Sequence, residues 1–398
     1  MDEAQKPHRR TVPKSSTRWP KTTLPSLFCG SARAYQHLRP TAHQPICQSR
    51  HAHFLTSPLL ARLREFARGN RDATKKTGQH PESRTLYFQK VVRLALLTCH
   101  FNPIGYRQSR RNFLRFLRQM EAANVPVYVS ELVIGEEDWV LPGSERVLRL
   151  RARAGQILWY KENLLNLLER IVPAEFDRLA WVDADVWFER TDWFKATELA
   201  LDRFPVVQMC DKVVITNEDG TVGKIERTSA AVGFLRGGIH PGMAWAAWRT
   251  LWTEGGGLYE RSIVGDGDVI NASAWLPGAG NLKWTGCSDL PDGIQRLRKW
   301  ATKSGKCGCV AGTLWHEWHG NYEKRYYTAR RNYLKGLDVQ RHLCKQGDGL
   351  LTWTVDAPAD VISMVASYFA RREEDEEQPV RNPLPAISKT GGLSRVPA

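Results

Sequence analysis

Apolar and polar positions fall into alternating strand-length and helix-length blocks along this chain, beginning only near residue 90. Val91 to Thr98 is an apolar run of strand length, broken only by Arg93. A helical spacing follows from about Tyr106 to Ala123, with Phe113, Leu114, Phe116, Leu117 and Met120 on one side. Val125 to Leu132 reads as a second strand, Gly135 to Gly143 as a loop and Val147 to Leu150 as a short strand. Leu158 to Ile171 reads as a helix ended by Pro173, and Leu179 to Phe188 as another buried strand. Strands alternating with helices predict an α/β fold: a mostly parallel central sheet with flanking helices. Further on, Met243 to Trp252, Leu334 to Lys345 and Val361 to Arg372 read as helices, and 279–315 as loops and short strands.

The strand Leu179 to Phe188 is interrupted by two carboxylates, Asp183 and Asp185. Unpaired carboxylates are costly to bury, so two in one apolar run need a reason. Residues two apart share a face if the chain is extended, and they can still converge if it turns. Such a pair repels itself unless a cation lies beside it, and Asp oxygens favour Mg²⁺ or Mn²⁺. In a parallel sheet, ligands lie beyond the carboxyl ends of the strands. The segment Thr98 to Asn102 and the Asp183/Asp185 pair both belong to that edge.

Charge changes the picture less than its total suggests. The chain of 398 residues carries a formal +15. Residues 1–85 hold 16 Lys and Arg against 5 Asp and Glu, so the body from 86 onward is close to balanced. Residues 1–85 therefore read as a disordered basic extension or a targeting sequence, with Leu59 to Phe66 as a short helix within it. Residues 86–372 read as one catalytic domain and 373–398 as a charged disordered tail. The eight cysteines include no C-x-x-C pair, which argues against a four-cysteine zinc site and fits reduced thiols in the cytoplasm. No apolar run reaches 18 residues, so no transmembrane segment is expected; peripheral membrane contact stays open if the acceptor is lipid-linked.

Three more polar clusters accompany the Asp pair. Gly265-Asp266-Gly267-Asp268 precedes an apolar helix start; an N-cap role accounts for one of its acids but not both. His316-Glu317-Trp318-His319-Gly320 places two imidazoles three residues apart after an apolar run, which suits metal ligation by one of them. The spacing is H-E-x-H and does not match a helical zinc-hydrolase motif. Arg151, Arg153 and Lys161, before the carboxylate strand, suit an anionic ligand or a solvated helix face.

Taken in order, CHFNP at 99–103, K-E-x-L-L-N at 161–166, W-V-D-A-D-V at 181–186, P-G-M-A-W-A-A-W-R at 241–249, G-D-G-D at 265–268 and H-E-W-H-G at 316–320 resemble nucleotide-sugar-dependent glycosyltransferases of the GT-A fold. The resemblance covers about residues 90–370 and includes in particular bacterial cytosolic relatives with a D-x-D motif; its late elements are similar to those of β-1,4-galactosyltransferases and chondroitin-type polymerases. It implies an inverting transfer of a hexose from a nucleotide-diphosphate sugar to a glycan or glycolipid hydroxyl, with Mn²⁺ or Mg²⁺ as cofactor. Asp185, and Asp183 unless it contacts the ribose, would hold the metal with His319 or His316. Asp268 would be the base, with Asp266 as the second candidate, because Asp266 stands where the resemblance implies glycine. His100, Phe101 and Asn102 would line the nucleotide pocket with Arg153 and Lys161, and Trp245 would face the sugar.

Two other classes compete. A haloacid-dehalogenase-like phosphatase also ends a strand with D-x-D; Asp183 would be its nucleophile and Asp266/Asp268 would hold Mg²⁺. That motif normally lies on the first strand, and the reading leaves His316 and His319 without a role. A non-enzymatic nucleic-acid-binding protein would act through the basic extension. The balanced body carries no nucleic-acid-binding motif, so no specific nucleic-acid partner is expected.

Overall fold

The computed structural model describes residues 94–233, 239–276, 288–327, 329–334 and 336–375. The basic extension 1–85, its short helix and the end of the tail lie outside the described residues.

The central sheet has seven strands: β1 (Leu94–Phe101), β2 (Val127–Ile134), β3 (Val147–Ala152), β4 (Arg178–Val182), β6 (Val206–Gln208), β10 (Ala244–Trp248) and β11 (Cys307–Cys309). Their spatial order is β11-β6-β10-β4-β1-β2-β3. β10 runs antiparallel to both neighbours and the other pairings are parallel, so the sheet is mostly parallel as the alternating pattern predicts. A second sheet has the order β5-β12-β7-β8-β9, from β5 (Val186–Phe188), β7 (Lys212–Thr216), β8 (Val222–Ser229), β9 (Ile239–His240) and β12 (Thr313–His316). A hairpin joins β13 (Leu343–Lys345) to β14 (Leu351–Trp353).

Six helices of eight or more residues occur among the described residues: α1 (Arg107–Ala122), α2 (Lys161–Leu168), α3 (Trp193–Leu201), α4 (Gly267–Trp275), α5 (Leu290–Ser304) and α6 (Ala359–Arg371). Alternate residues of the sheet feed two cores. Leu97, Leu179, Trp181 and Trp245 join one cluster with Leu164 and Leu168 of α2. Leu96, Ala180, Val182 and Ala246 join the other with Phe116 and Met120 of α1. Helices on both faces explain why the strands read as unbroken apolar runs.

Three expected elements differ. Met243 to Trp252 is strand β10 followed by one helical turn, Thr250–Thr253. An apolar run bonded on both edges and buried on both faces carries no period that separates strand from helix. Within 279–315, α5 is a 15-residue helix that buries Leu290, Ile294, Leu297 and Trp300 and carries Pro291 in its first turn. Leu334 to Lys345 holds only the turn Val339–His342 before β13, because Gly336 takes φ +83° and stops a helix. Glu373–Asp375, assigned above to the tail, are described, with Glu374 buried and Asp375 half-buried. The Asp375 carboxylate accepts the N–H groups of Arg107 and Gln108, both at 2.7 Å, and so caps α1 from the far end of the domain.

Candidate active site

The carboxyl ends of β1 and β4 open onto one cavity of about 390 Å³. Thr98 ties them together by donating its hydroxyl to the Val182 carbonyl at 2.8 Å. β4 ends at Val182 and β5 begins at Val186, so Asp183 and Asp185 sit in the turn between the two sheets. That turn sends the two carboxylates to different partners.

Asp185 meets the histidines. Its Oδ2 lies 3.0 Å from His319 Nε2 and 3.5 Å from His316 Nε2, and the two imidazole nitrogens are 3.0 Å apart. β12 brings His316 there through pairing with β5 and β7, and the Asp185 carbonyl accepts the Glu317 N–H at 2.7 Å. Burial alone raises a carboxyl pKa, yet the two imidazoles hold Asp185 well below the usual range. Burial lowers the pKa of His316 against the pull of Asp185. Behind His319, the Glu374 carboxylate lies 3.3 Å from Nδ1. Glu374 is buried; Arg372 and His319 overcome that burial and bring it down to about 2.

The donor set fits a divalent cation. Asp185, His316 and His319 each offer one ligand atom, all within 4.8 Å of one another. Asp185 Oδ1 and His316 Nδ1 are buried with no hydrogen-bond partner, the state of groups built for something more than each other. Two imidazoles with one carboxylate suit Mn²⁺ better than the all-oxygen preference of Mg²⁺. A carboxylate behind a ligating imidazole is the usual means of fixing its ring.

Asp183 faces the other way. Lys161, at the first position of α2, lies 2.6 Å from Asp183 Oδ1 and 3.0 Å from Asp268 Oδ1. The ammonium is buried, which lowers its pKa, but Asp183, Asp268 and Glu162 raise it well above the ordinary value. Burial pushes Asp183 up to about 7 against the pull of Lys161, and Asp268 and Asp185 push the same way. Burial likewise pushes Glu162 up to about 8, with Lys161 opposing. Two glycines, one in the acidic loop and one just before β10, make room for this cluster. A Cβ on Gly267 would overlap the Glu162 carboxylate, and one on Gly242 would overlap that of Asp268.

The remaining candidates divide. Asp268, in the first turn of α4, reaches the cavity. Asp266 precedes α4 at φ 70° and its carboxylate is clamped by Arg330 and by Arg331 Nε, the latter at 2.8 Å. With each oxygen taken by a guanidinium, this carboxylate is a strut that ties the start of α4 to residues 330 and 331. His100 lines the cavity, stacked on Phe113 at 4.2 Å between ring centroids; burial, then Arg110, lowers it to about 4. Phe101 lines the cavity with its edge toward Trp159. Asn102 also borders it, but its side chain exchanges two hydrogen bonds with the Tyr106 backbone and holds the entry to α1. Trp245 corrects its expectation. It is buried in the core against Trp275, its indole N–H donating to the Pro241 carbonyl at 2.8 Å, and it does not face the cavity. Arg153 is exposed and stands apart from the cavity lining. Arg330 and Glu374 were not singled out by the sequence, whereas Glu162 and Arg325 stood in its polar clusters without a role of their own. Glu162 carried a signal, as an acid next to Lys161 at the start of a helix that continues with leucine and asparagine.

No protein-family model matches the chain, and no curated protein matches it. Solved structures similar to it include the catalytic domain of Drosophila β1,4-galactosyltransferase 7 with xylobiose: 14% identity, 46% of this chain, 60% of that one, TM-score 0.25. A mutant of the same Drosophila enzyme with manganese, UDP-Gal and xylobiose aligns at 12% identity over 69% of this chain and 99% of that one, TM-score 0.33. Glucosyl-3-phosphoglycerate synthase from Mycobacterium tuberculosis, with Mn²⁺, UDP-glucose and phosphoglyceric acid, aligns at 12% over 67% and 88%, TM-score 0.32.

Proposed function

We propose that this protein is a metal-dependent glycosyltransferase that moves a hexose from a nucleotide-diphosphate sugar to an acceptor hydroxyl, with inversion. One observation carries the reading. An Asp185-His316-His319 trio and an Asp183-Lys161-Asp268 bridge meet in one cavity at the carboxyl edge of a mostly parallel sheet. The order of the sequence motifs supports it. Mn²⁺, or Mg²⁺, held by Asp185, His316 and His319 would supply positive charge where the diphosphate leaves. Asp268 takes the proton from the attacking acceptor hydroxyl. Lys161 fixes the orientation of Asp268 and keeps it from repelling Asp183. His100 and Phe101 offer ring surface to the nucleotide. A glycan or glycolipid as acceptor and the cytoplasm as location belong to the same proposal. No described helix is long and apolar enough to cross a membrane.

The phosphatase alternative fits less well. It needs Asp183 free as a nucleophile and Asp266 with Asp268 as Mg²⁺ ligands. Here Lys161 already bridges Asp183 to Asp268, and two arginines hold Asp266. The nucleic-acid alternative rests on residues 1–85, which lie outside the described residues.

The test is a thermal-shift screen of nucleotide sugars with and without Mn²⁺, followed by product analysis. A ligand that binds the native form at 100 times its Kd stabilises by about 2.7 kcal/mol. A metal-dependent rise in Tm with one UDP- or GDP-sugar is expected. Asp268→Asn is expected to keep that rise and to lose transfer by roughly 10²–10⁴-fold. No rise with any nucleotide sugar, together with hydrolysis of a simple phosphate ester, would turn the assignment to the phosphatase.

A further inference from the structure

We propose that the outer face of α1 docks on an anionic lipid bilayer. The helix holds five arginines, Arg107, Arg110, Arg111, Arg115 and Arg118, and a single acid, Glu121. At 3.6 residues per turn the five fall within about 140° of the circumference and span about 17 Å of axis. The buried residues Asn112, Phe113, Phe116 and Met120 occupy the opposite side, and all five arginines are exposed.

Two of the five are engaged: Arg115 pairs with Glu317 at 2.7 Å and Arg107 approaches Asp375 at 3.8 Å. Arg110, Arg111 and Arg118 form no ion pair among the described residues, and Arg111 acts on Glu317 only through its field. Half-buried Leu114 lies inside the same arc.

The shape and composition of this face select the partner. It is the convex side of a helix, and Arg110, Arg111, Arg115 and Arg118 stand outside the cavity lining, so it suits an extended polyanion. The arc offers no aromatic ring, which single-stranded nucleic acid uses as a stacking platform. Guanidiniums around a leucine match a headgroup layer, where cations meet phosphate and an apolar tip meets the acyl boundary. Ser109 and Phe113, on other sides of the same helix, line the cavity. Docking therefore brings the cavity within about one helix diameter, roughly 10 Å, of the bilayer. That its purpose is a lipid-borne acceptor rests on the glycosyltransferase reading; the docking itself does not.

The experiment uses the full chain and co-sedimentation with vesicles of phosphatidylcholine alone or with about 30% phosphatidylglycerol, an anionic lipid. Binding is expected only with the anionic vesicles and is expected to fall as salt rises from about 0.05 M to about 0.5 M. The variant R110Q/R111Q/R118Q should partition on the order of 100-fold more weakly, at about 1 kcal/mol per basic residue. The control K299Q/K303Q/K306Q, which removes as many exposed lysines elsewhere, should bind like the wild type. Circular dichroism and an unchanged Tm certify that the variants fold. Two results overturn the proposal: full vesicle binding by the arginine variant, or equal loss in both variants. So does anisotropy in which wild type binds a generic RNA or DNA oligonucleotide, the arginine variant does not, and neither binds vesicles. Vesicle binding with no nucleotide-sugar response in the thermal-shift screen would keep the docking surface and remove the enzyme reading.

Discussion

The proposed metal site depends on very few atoms. Replacing Asp185 by Ala removes the only carboxylate of the trio, and Mn²⁺-dependent donor binding should vanish while the fold remains, as read by titration calorimetry and circular dichroism. Glu374→Gln is a finer probe, since it keeps the shape and removes the charge behind His319. A loss of roughly 10–100-fold in Mn²⁺ affinity is expected, the range for a partner that orients a ligand. Unchanged affinity would show that Glu374 only packs. His100 gives a pH test. Its folded-state pKa of about 4 lies below its ordinary value of 6.5, so the folded form resists the proton that the unfolded form accepts. Stability is thus complete above pH 6.5 and drains away as pH falls toward 4. Between pH 7 and pH 5 the wild type should lose about 2 kcal/mol more than His100→Phe, at 1.36 kcal/mol per unit. Urea midpoints at the two pH values measure it, and parallel curves would refute it.

Elements decide which residues reach the cavity. β10 was expected as a helix, and the resemblance implied that its Trp245 faces the sugar. As a strand between β4 and β6 it buries the indole in the core. Trp245→Ala should therefore cost about 3–5 kcal/mol of stability, the range for a buried aromatic. Donor Kd in the remaining folded protein should not change; a large change in Kd with little loss of stability would restore the sugar-facing role. The cap of α1 is a second element-scale device. Asp375 supplies it across 267–268 residues of chain, and its neighbour Glu374 backs His319. Asp375→Ala should cost about 1 kcal/mol.

At the scale of the whole molecule, two sheets meet at the turn that carries Asp183 and Asp185. The central sheet supplies β1 and β4; the second sheet delivers His316 from more than a hundred residues away. This explains what could be read in advance. Strands β1, β2 and β4 and helices α1, α2 and α6 were legible because each has its own apolar run or 3.6-residue stripe. Helix α5 was missed because Pro291 and Gly293 in its first turn read as loop, although its apolar spacing is regular. Among the site residues, Asp183, Asp185, Asp268, His316 and His319 stood out because charged or ligating groups beside apolar runs are costly without partners. Glu374, Arg330 and the clamp on Asp266 left no such mark. They lie in charged stretches, where a solvated surface is the ordinary reading.

By itself the sequence determined the alternation of strand and helix, and with it the sheet edge where a ligand has to lie, because hydrophobic periodicity is a local property of the chain. It also determined which polar groups were too costly to bury without a purpose. Tertiary structure alone decided the pairings: Asp185 with two histidines, Asp183 with Lys161, Asp266 with two arginines, Trp245 with the core. Pairing depends on distances between residues far apart in the chain, and only the folded backbone sets those distances.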